Sequence, residues 1–478
     1  MLFNSLDFAV FLPIVFALYW FVSLRYLKFQ NLLLIIASYV FYGWWDYRFL
    51  SLIIFSSLVD YTIGLKLKNE EKALKRKLLL WASISINIGF LGFFKYYNFF
   101  VDNFVEAFSF FGSKIQANTL NIILPVGISF YTFQTLSYTI DVYKQKLEPT
   151  KDIISFLAFV SFFPQLVAGP IERATNLLPQ FYKARAFHYS NAVDGCRQIL
   201  WGLFKKVVIA DQCAIYANLI FNNSSDYSGS TLVMGAIFFT FQIYGDFSGY
   251  SDIAIGVSRL FGFNLKQNFA FPYFSRDIAE FWRRWHISLS TWFRDYLYIP
   301  LGGSRGEIWI KIRNIFIIFI VSGFWHGANW TFIVWGFLNA LYFLPLLLTK
   351  KNRYNIEIVA ANTLLPSLKE CIAMLMTFSI IVFAWIFFRA ESIIHAISYI
   401  RNIFSSALFE APVIRPTYLI AFLFIFMSIE WFGRKDKYAL ELLLLKRKRI
   451  LKWGVYITLI ISICVFSGEE QEFIYFQF

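Results

Sequence analysis

A histidine inside a long uncharged segment is the residue of this sequence best placed to do chemistry. Residues 314–349 contain no Lys, Arg, Asp or Glu, and glycines at positions 323 and 327 flank His326. As one helix these 36 residues would measure about 54 Å against a hydrocarbon core of about 30 Å, which predicts a break at residues 322–329. The apolar piece before His326, about a dozen residues, is expected to be too short to span the membrane alone. We therefore predict an ionisable group below the membrane surface that lines a cavity.

Imidazole is suited to the transfer of an acyl group to a hydroxyl group. Its pKa lies near neutral pH, so His326 can remove the hydroxyl proton as a general base. The reaction also needs hydrogen-bond donors for the developing oxyanion. Trp325 and Asn329 lie in the same segment and are candidate substrate contacts. The alternative is a neutral His326 that is hydrogen-bonded inside a helix bundle and has a structural role.

A second histidine, His286, lies in an aromatic and basic stretch at residues 281–296. Five apolar residues of this stretch repeat at helical spacing: Phe281, Trp285, Leu289, Trp292 and Tyr296. His286, Ser290 and Arg294 fall four apart on another face. The pattern predicts an interfacial helix with its aromatic face in lipid and its basic face toward headgroups or phosphates. A surface anchor does not explain a histidine among arginines, so we predict a catalytic or site-shaping role for His286, with Arg294 and Asp295 shaping the site.

Two carboxylates, Asp246 and Asp252, lie six residues apart in an otherwise apolar segment that also contains Ser248. Burial of carboxylates in lipid is costly, so they are expected to face a polar cavity or to pair with arginines. Both aspartates and Ser248 are candidate substrate contacts. Metal binding is the alternative, but two carboxylates alone are weak support for it, and no metal site is predicted.

The sequence ends FIYFQF at residues 473–478. One interpretation is an aromatic belt that anchors the chain at the outer membrane interface. The other is that the phenol of Tyr475 holds an acyl group transiently during transfer.

The elements that must position these residues are transmembrane helices. The chain is 58% hydrophobic and 15% charged, whereas soluble domains carry about 25% charged residues. Backbone polar groups in lipid must be satisfied internally, which leaves helices or closed barrels. Barrel strands alternate in polarity over about ten residues, but the apolar runs that start at Phe11 and Phe337 are longer and do not alternate. The predicted fold class is an all-α polytopic membrane protein.

Charge distribution predicts the orientation of the chain in the membrane. The net charge is +14, but basic residues lie in short runs between apolar stretches, which is the positive-inside pattern rather than a nucleic-acid face. Basic runs at residues 66–77, 350–353 and 446–449 are predicted to be cytoplasmic, which puts both termini outside. Segment 120–142 contains LPVG at residues 124–127 near its start, which indicates a broken or re-entrant helix. The candidate spans are residues 8–24, 30–45, 49–65, 78–98, 120–142, 153–170, 196–221, 231–260, 312–325, 328–349, 371–389, 415–432 and 451–467.

The sequence resembles the membrane-bound O-acyltransferase (MBOAT) family. The resemblance is carried by FWRRWHISLSTWFRDYLYIPLGG at 281–303 and GFWHG at 323–327, supported by FFPQLVAGPIER at 162–173 and DFSGYSDIAIG at 246–256. The form YIPLGG and the closing FIYFQF are similar to the bacterial branch that acetylates alginate or peptidoglycan. The D-alanyl transferase of teichoic acids is a close cousin of that branch.

The resemblance implies roles for individual residues. His326 matches the active-site histidine of the family, and His286 matches a second signature position. The tail resembles the FxYxxF ending of a small partner in teichoic acid D-alanylation, in which the tyrosine is the proposed acyl carrier. Phe473, Tyr475 and Phe478 fit that pattern.

The resemblance also implies an architecture and an activity. One domain is expected over residues 1–478, with its core signature at about 120–350, as a ring of helices around a central tunnel. The expected function is a membrane O-acyltransferase that takes acetyl from a cytoplasmic thioester and passes it across the membrane to an exported polysaccharide. Acetyl-CoA is the expected donor substrate, no bound cofactor is expected, and an external SGNH-type acetyltransferase is the expected partner. The alternatives are D-alanyl transfer to teichoic acid and a transporter of polysaccharide precursors.

Overall fold

The polypeptide is helical throughout its described parts. The computed structural model describes residues 1–22, 26–110, 119–443, 448–468 and 471–476. Every regular element within these ranges is a helix, which confirms the predicted all-α class.

The chain divides into two compact units, of which the first comprises residues 1–192 and 257–265. The α-helices that lie in this unit are α1 (Leu6–Ala17), α2 (Leu27–Asp46), α3 (Leu50–Asn69), α4 (Ala73–Leu91), α5 (Tyr97–Phe110), α6 (Ile128–Tyr143), α7 (Ile153–Ser161), α8 (Phe163–Leu166) and α9 (Ala174–Leu177). Gly127, in the left-handed conformation at φ 74°, precedes α6, so this helix begins after LPVG and not at residue 120.

A buried carboxylate joins three helices of the first unit. Asp60 on α3 accepts hydrogen bonds from Ser83 and Asn87 on α4 and from Thr139 on α6. All three partners are neutral, so the network satisfies the polar groups without a buried cation. It holds α3, α4 and α6 together through hydrogen bonds that lipid cannot replace.

The second unit comprises residues 193–256 and 266–478, and it contains every predicted site residue. Its α-helices are α10 (Tyr189–Phe204, which begins in the first unit), α11 (Asp211–Asn222), α12 (Gly229–Leu260, whose last turn belongs to the first unit), α13 (Ile278–Arg284), α14 (Ile287–Phe293), α15 (Ile308–His326), α16 (Trp330–Leu348), α17 (Leu368–Arg389), α18 (Ile393–Ile403), α19 (Thr417–Gly433) and α20 (Arg449–Phe466). The expected single domain over residues 1–478 and the ring around a tunnel stay predictions.

Six helical segments of the described residues are long and apolar enough to cross a membrane, so the chain is a multi-pass membrane protein. They are Leu27–Asn69, Ala73–Phe110, Ile308–His326, Trp330–Leu348, Leu368–Arg389 and Arg449–Phe466. Two shorter apolar helices are Leu6–Val22 and Thr417–Gly433.

The helices α15 and α16 form a close antiparallel hairpin that fixes the position of His326. A Cβ atom on Gly323 would lie 2.2 Å from the backbone oxygen of Phe332, and one on Gly336 would lie 2.2 Å from that of Phe319. No side chain fits at either contact, so the two backbones approach each other because both positions are glycine.

Candidate active site

His326 is the last residue of α15, and the chain breaks at residues 327–329 before α16 begins, as predicted. The expectation that the helix before His326 is too short to span was wrong. The helix begins at Ile308 and has 19 residues, because it continues through Lys311 and Arg313 at its basic end. Lysine and arginine are good helix formers whose long side chains can reach a polar surface from within a helix.

Aromatic rings surround the His326 imidazole, which is 5% exposed. Its ring centroid lies 4.8 Å from that of Trp325, 5.3 Å from Trp335 on α16 and 5.2 Å from Phe388 on α17. The ring of Tyr475, from the C-terminal tail, lies 5.7 Å away. Three helices and the tail therefore meet at this histidine.

His286 lies at a bend between two short helices, so the prediction of one continuous interfacial helix was wrong. The helix α13 ends at Arg284, α14 begins at Ile287, and His286 adopts φ 43° and ψ 55° in the left-handed region. A bend at this point breaks the helical repeat on which the lipid-facing prediction depended. Phe281 and Trp285 are both 1% exposed within the protein rather than directed at lipid. The two aromatic rings stack on each other at 5.4 Å.

Hydrogen bonds orient the His286 ring. Its Nδ1 lies 3.0 Å from Oδ1 of Asn268, which also accepts from the hydroxyl of Ser288 at 2.8 Å. The amide nitrogen of Asn268 donates to the hydroxyl of Ser251 at 3.1 Å, which assigns the amide oxygen to the histidine side. We therefore assign the proton to Nδ1 and the lone pair to Nε2.

The Nε2 atom of His286 is buried and has no hydrogen-bond partner among the residues that the structure describes. His286 lies outside the six candidate spans, and burial lowers the pKa of its imidazole to about 3 because the charged form is poorly solvated. The ring is therefore a neutral hydrogen-bond acceptor. Asn268, which creates this state, was not among the predicted site residues, and no sequence pattern marks it.

A cavity of about 100 Å³ lies against both histidines. It is walled by aromatic and aliphatic side chains with two serines, and its lining residues are Trp282, Trp285, His286, Leu289, Ser290, Phe293, Ile318, Phe319, Ser322 and His326. A water molecule occupies about 30 Å³ of liquid, so this space accepts a group of a few heavy atoms. The cavity brings together the two histidines that the sequence singled out.

A larger cavity of about 800 Å³ adjoins the first and has a basic lining. The two share Trp282, Ser290, Ile318 and Phe319 as lining residues. Five lining residues of the larger cavity are basic and none of those described around it is acidic: Arg283, Arg294, Lys311, Lys350 and Arg353. The predicted site residue Arg294 thus lines the basic cavity.

Asp295 pairs with the neighbouring Arg294, with the arginine Nε 2.7 Å from Oδ1 of the carboxylate. Asn329 caps α16, since its oxygen accepts from the backbone of Thr331 at 3.0 Å and its nitrogen donates to the carbonyl of Glu391 at 2.9 Å. Contacts between substrate and Asp295, Asn329 or Trp325 stay predictions.

The C-terminal tail enters the protein and reaches the histidine site. Phe473 is 1% and Ile474 is 0% exposed, so these residues do not form the aromatic belt that one interpretation expected. The ring of Tyr475 lies 4.5 Å from Phe247, which in turn lies 4.6 Å from the ring of His286. Tyr475 therefore contacts His326 directly and reaches His286 through the ring of Phe247. Phe478 lies outside the described residues.

The two buried aspartates pair with lysines, not with the arginines expected. Asp246 lies 2.8 Å from Nζ of Lys206, and Asp252 lies 2.5 Å from Nζ of Lys205. The lysines begin a π-helical turn, Lys205–Ala210, some forty residues earlier in the chain, so nothing local in the sequence identified them. Ser248 is buried beside this pair and lines a small cavity with Asp252 and Asn268.

Comparison with known proteins places the chain in a family. The sequence model of the membrane-bound O-acyltransferase (MBOAT) family matches residues 149–388. The chain is 42% identical over 387 residues to the probable alginate O-acetylase AlgI of Pseudomonas aeruginosa, which covers 80% of this chain and 71% of the relative. It is 37% identical over 432 residues to the peptidoglycan O-acetyltransferase of Helicobacter pylori, with 84% and 79% covered.

A more distant match is the teichoic acid D-alanyltransferase of Bacillus subtilis, 32% identical over 232 residues, with 46% of this chain and 58% of the relative covered. A multi-pass membrane acyltransferase is the class that these matches and the helical fold define. The chain belongs to the membrane-bound O-acyltransferase family.

Proposed function

We propose that the protein takes an acetyl group from a cytoplasmic thioester and passes it across the bacterial inner membrane for O-acetylation of an exported polysaccharide, alginate or peptidoglycan. The observation that carries this proposal is the cavity of about 100 Å³ lined by both His286 and His326. Relatives named as alginate and peptidoglycan O-acetyltransferases support the choice of acetyl and of polymer.

Acetyl-CoA is the donor that the basic cavity favours. Phosphate groups are recognised by arginine and lysine side chains, and five of these line the space of about 800 Å³. The adjoining cavity of about 100 Å³ is large enough for an acetyl thioester and too small for a long acyl chain. Binding of the nucleotide in the larger space would present the thioester to the two histidines.

The orientation of the helices supports transfer from inside to outside. Lys350 and Arg353 line the basic cavity and belong to a run that the positive-inside rule assigns to the cytoplasm. His326 lies at the opposite end of α15, and α20 runs from a basic cytoplasmic end to the tail that bears Tyr475. The C-terminal tail is then external, and the acyl donor and the tail approach the histidines from opposite sides.

His326 acts as general base on the hydroxyl of Tyr475. The phenol oxygen attacks the thioester carbonyl, the C–S bond breaks, and the thiolate leaves with the proton that His326 removed. His286 holds the acetyl-CoA, because its Nε2 atom accepts a hydrogen bond from that molecule. The acetyl group then passes from Tyr475 to the polymer through a separate external acetyltransferase of the SGNH class.

The proposal is tested with purified protein, labelled acetyl-CoA and acceptor glycan together with its external partner. His326→Ala should lower acetyl transfer by about 10²–10⁴-fold, the usual cost of losing a general base, while the protein stays folded in the membrane. The matched control is His188→Ala, which removes an exposed histidine that precedes α10. Retained polymer acetate in His326→Ala refutes the assignment.

Two further measurements separate the rival activities. Release of D-alanine rather than acetate from modified cell-wall material would favour teichoic acid as the acceptor. A transporter of precursors would move glycan without consuming thioester, so turnover of acetyl-CoA that depends on His326 excludes that class.

A further inference from the structure

A buried ion pair holds the backbone of the C-terminal tail. The carboxylate Oδ2 of Asp246 accepts a hydrogen bond from the backbone nitrogen of Ile474 at 2.7 Å. Nζ of Lys206 donates to the backbone oxygen of Gln471 at 3.3 Å. The same ammonium lies 2.8 Å from Oδ1 of Asp246. The pair therefore binds the tail at two backbone positions, independently of the tail side chains.

The ionised side chains around Asp246 favour a hydrogen-bond donor from the tail. Lys206 also lies 2.8 Å from Asp211, so one ammonium serves two carboxylates. All three side chains are buried. The backbone N–H group of Ile474 donates to the second carboxylate oxygen of Asp246, and hydrogen bonds to ionised acceptors are among the strongest in proteins. Asp246 is thus better satisfied with the tail bound than without it.

Aromatic contacts of the tail side chains place Tyr475 at the active site. Phe473 packs on Tyr250 at 4.9 Å, and Tyr475 stacks on Phe473 at 5.7 Å. Both rings also contact Phe247, which follows Asp246 on α12. Fixing the backbone at Ile474 therefore fixes the next residue, whose ring lies against His326.

We propose that Asp246 and Lys206 form a binding site for the C-terminal tail of this chain and position Tyr475 against His326. They act through the tail as positioning residues, rather than as the substrate contacts that the sequence suggested for Asp246. The proposal rests on the proposed function for the role of Tyr475, whereas binding of the tail stands on the contacts alone.

The first experiment measures tail binding in the full-length protein. Purified protein is treated with a carboxypeptidase, and mass spectrometry of the intact chain follows the loss of residues past Tyr475. Asp246→Asn should speed this trimming about tenfold, which corresponds to roughly 1.4 kcal/mol. Asp252→Asn removes the same charge from the same helix at a carboxylate that pairs with Lys205, and its trimming should proceed at the wild-type rate.

A second pair of variants changes the tail and leaves the helices intact. Ile474→Pro removes the N–H group that Asp246 accepts, while Ile474→Val keeps this group and most of the side chain. Trimming should be faster in the proline variant only. In the acetylation assay Ile474→Pro should lower kcat at least about tenfold and leave KM for the donor unchanged, because the basic cavity is untouched.

The results of these experiments test the tail-binding site, the positioning role and the relay function of Tyr475 separately. A tail that stays protected in both Asp246→Asn and Ile474→Pro overturns the binding site, and Ile474→Pro alone decides this if Asp246→Asn fails to fold. A tail that is trimmed while polymer acetylation stays at the wild-type level overturns the positioning role. Tyr475→Phe then separates the two proposals: if it also keeps full activity the relay function fails, and if it is inactive only the positioning role fails.

Discussion

The two histidines of the site are held in different ways. His286 lies at a bend between α13 and α14, where Asn268 accepts its Nδ1 hydrogen at 3.0 Å. His326 lies at the end of a membrane span, where aromatic rings from α15, α16 and α17 pack around it. The first ring is oriented by hydrogen bonds and the second is positioned by helix packing.

This difference assigns the two residues different tasks. A hydrogen bond to a fixed acceptor settles the tautomer of His286, so Nε2 can only accept, which suits a residue that holds the donor. His326 lies 5.7 Å from the phenol ring of Tyr475, which suits a residue that exchanges a proton with a hydroxyl group. Variants that disturb packing should therefore affect kcat, and variants that disturb hydrogen bonds should affect KM for the donor.

The largest effect in this comparison is expected from Gly323→Ala. Its Cβ would lie 2.2 Å from the backbone oxygen of Phe332, so α15 and α16 must separate and His326 must move. Displacement of a catalytic group by about 1 Å can cost about 10²-fold in rate. We expect that loss in kcat, with a lower thermal midpoint in detergent. Gly89→Ala on α4 is the control, because its Cβ meets nothing within 4 Å, and equal losses in both variants would contradict the packing argument.

His286→Ala should have the next largest effect. Loss of a buried acceptor that leaves a donor group unsatisfied costs about 1–3 kcal/mol, which is roughly five- to 150-fold. We expect the change mainly in KM for acetyl-CoA, measured by initial rates over a range of donor concentrations. An effect confined to kcat would show that His286 takes part in proton transfer and would remove the distinction between the two histidines.

Asn268→Ala should reproduce part of the His286 effect without touching that ring. The variant removes the acceptor of Nδ1 and of the Ser288 hydroxyl, so the tautomer of His286 is no longer fixed. We expect an increase in donor KM of about tenfold. Asn268→Asp retains an acceptor at the same place and should stay closer to wild type. An unchanged KM in Asn268→Ala would mean that orientation of His286 does not matter.

The smallest effect is expected from Ser288→Ala. The serine supplies one of two side-chain donors to Asn268, and a single such bond contributes about 0.5–1.5 kcal/mol. An increase in donor KM of about two- to tenfold should result. Thr291→Val serves as the control, since that hydroxyl bonds the backbone of α14 at Ser288. If Ser288→Ala raises donor KM more than Asn268→Ala does, the serine and not the asparagine orients the imidazole of His286.

The sequence singled out the two histidines that line one cavity, but not the way in which each is held. The length of the uncharged run predicted a break at residues 322–329, and the structure places it after His326, at residues 327–329. The bend at His286 could not be predicted, because five aromatic and aliphatic residues keep the spacing of a straight helix across it. Only the backbone shows that φ becomes positive there.

Interaction partners that lie far apart along the chain could not be predicted from the sequence either. The lysine that pairs with Asp246 and the tail nitrogen that binds it lie far away along the chain, the latter 228 residues distant. The cost of burying a carboxylate predicted that a partner exists, but not which one. Asn268 carries no pattern at all, since a single asparagine between a glutamine and a phenylalanine is ordinary in a loop.

The most direct test of the account is the site of acetylation on the protein itself. Full-length enzyme is incubated with labelled acetyl-CoA without acceptor, and the C-terminal peptide is analysed by mass spectrometry. We predict label on Tyr475 in the wild type and in His188→Ala, and none in His326→Ala. Absence of label on Tyr475 in the wild type, or full labelling of Tyr475 in His326→Ala, would contradict the account.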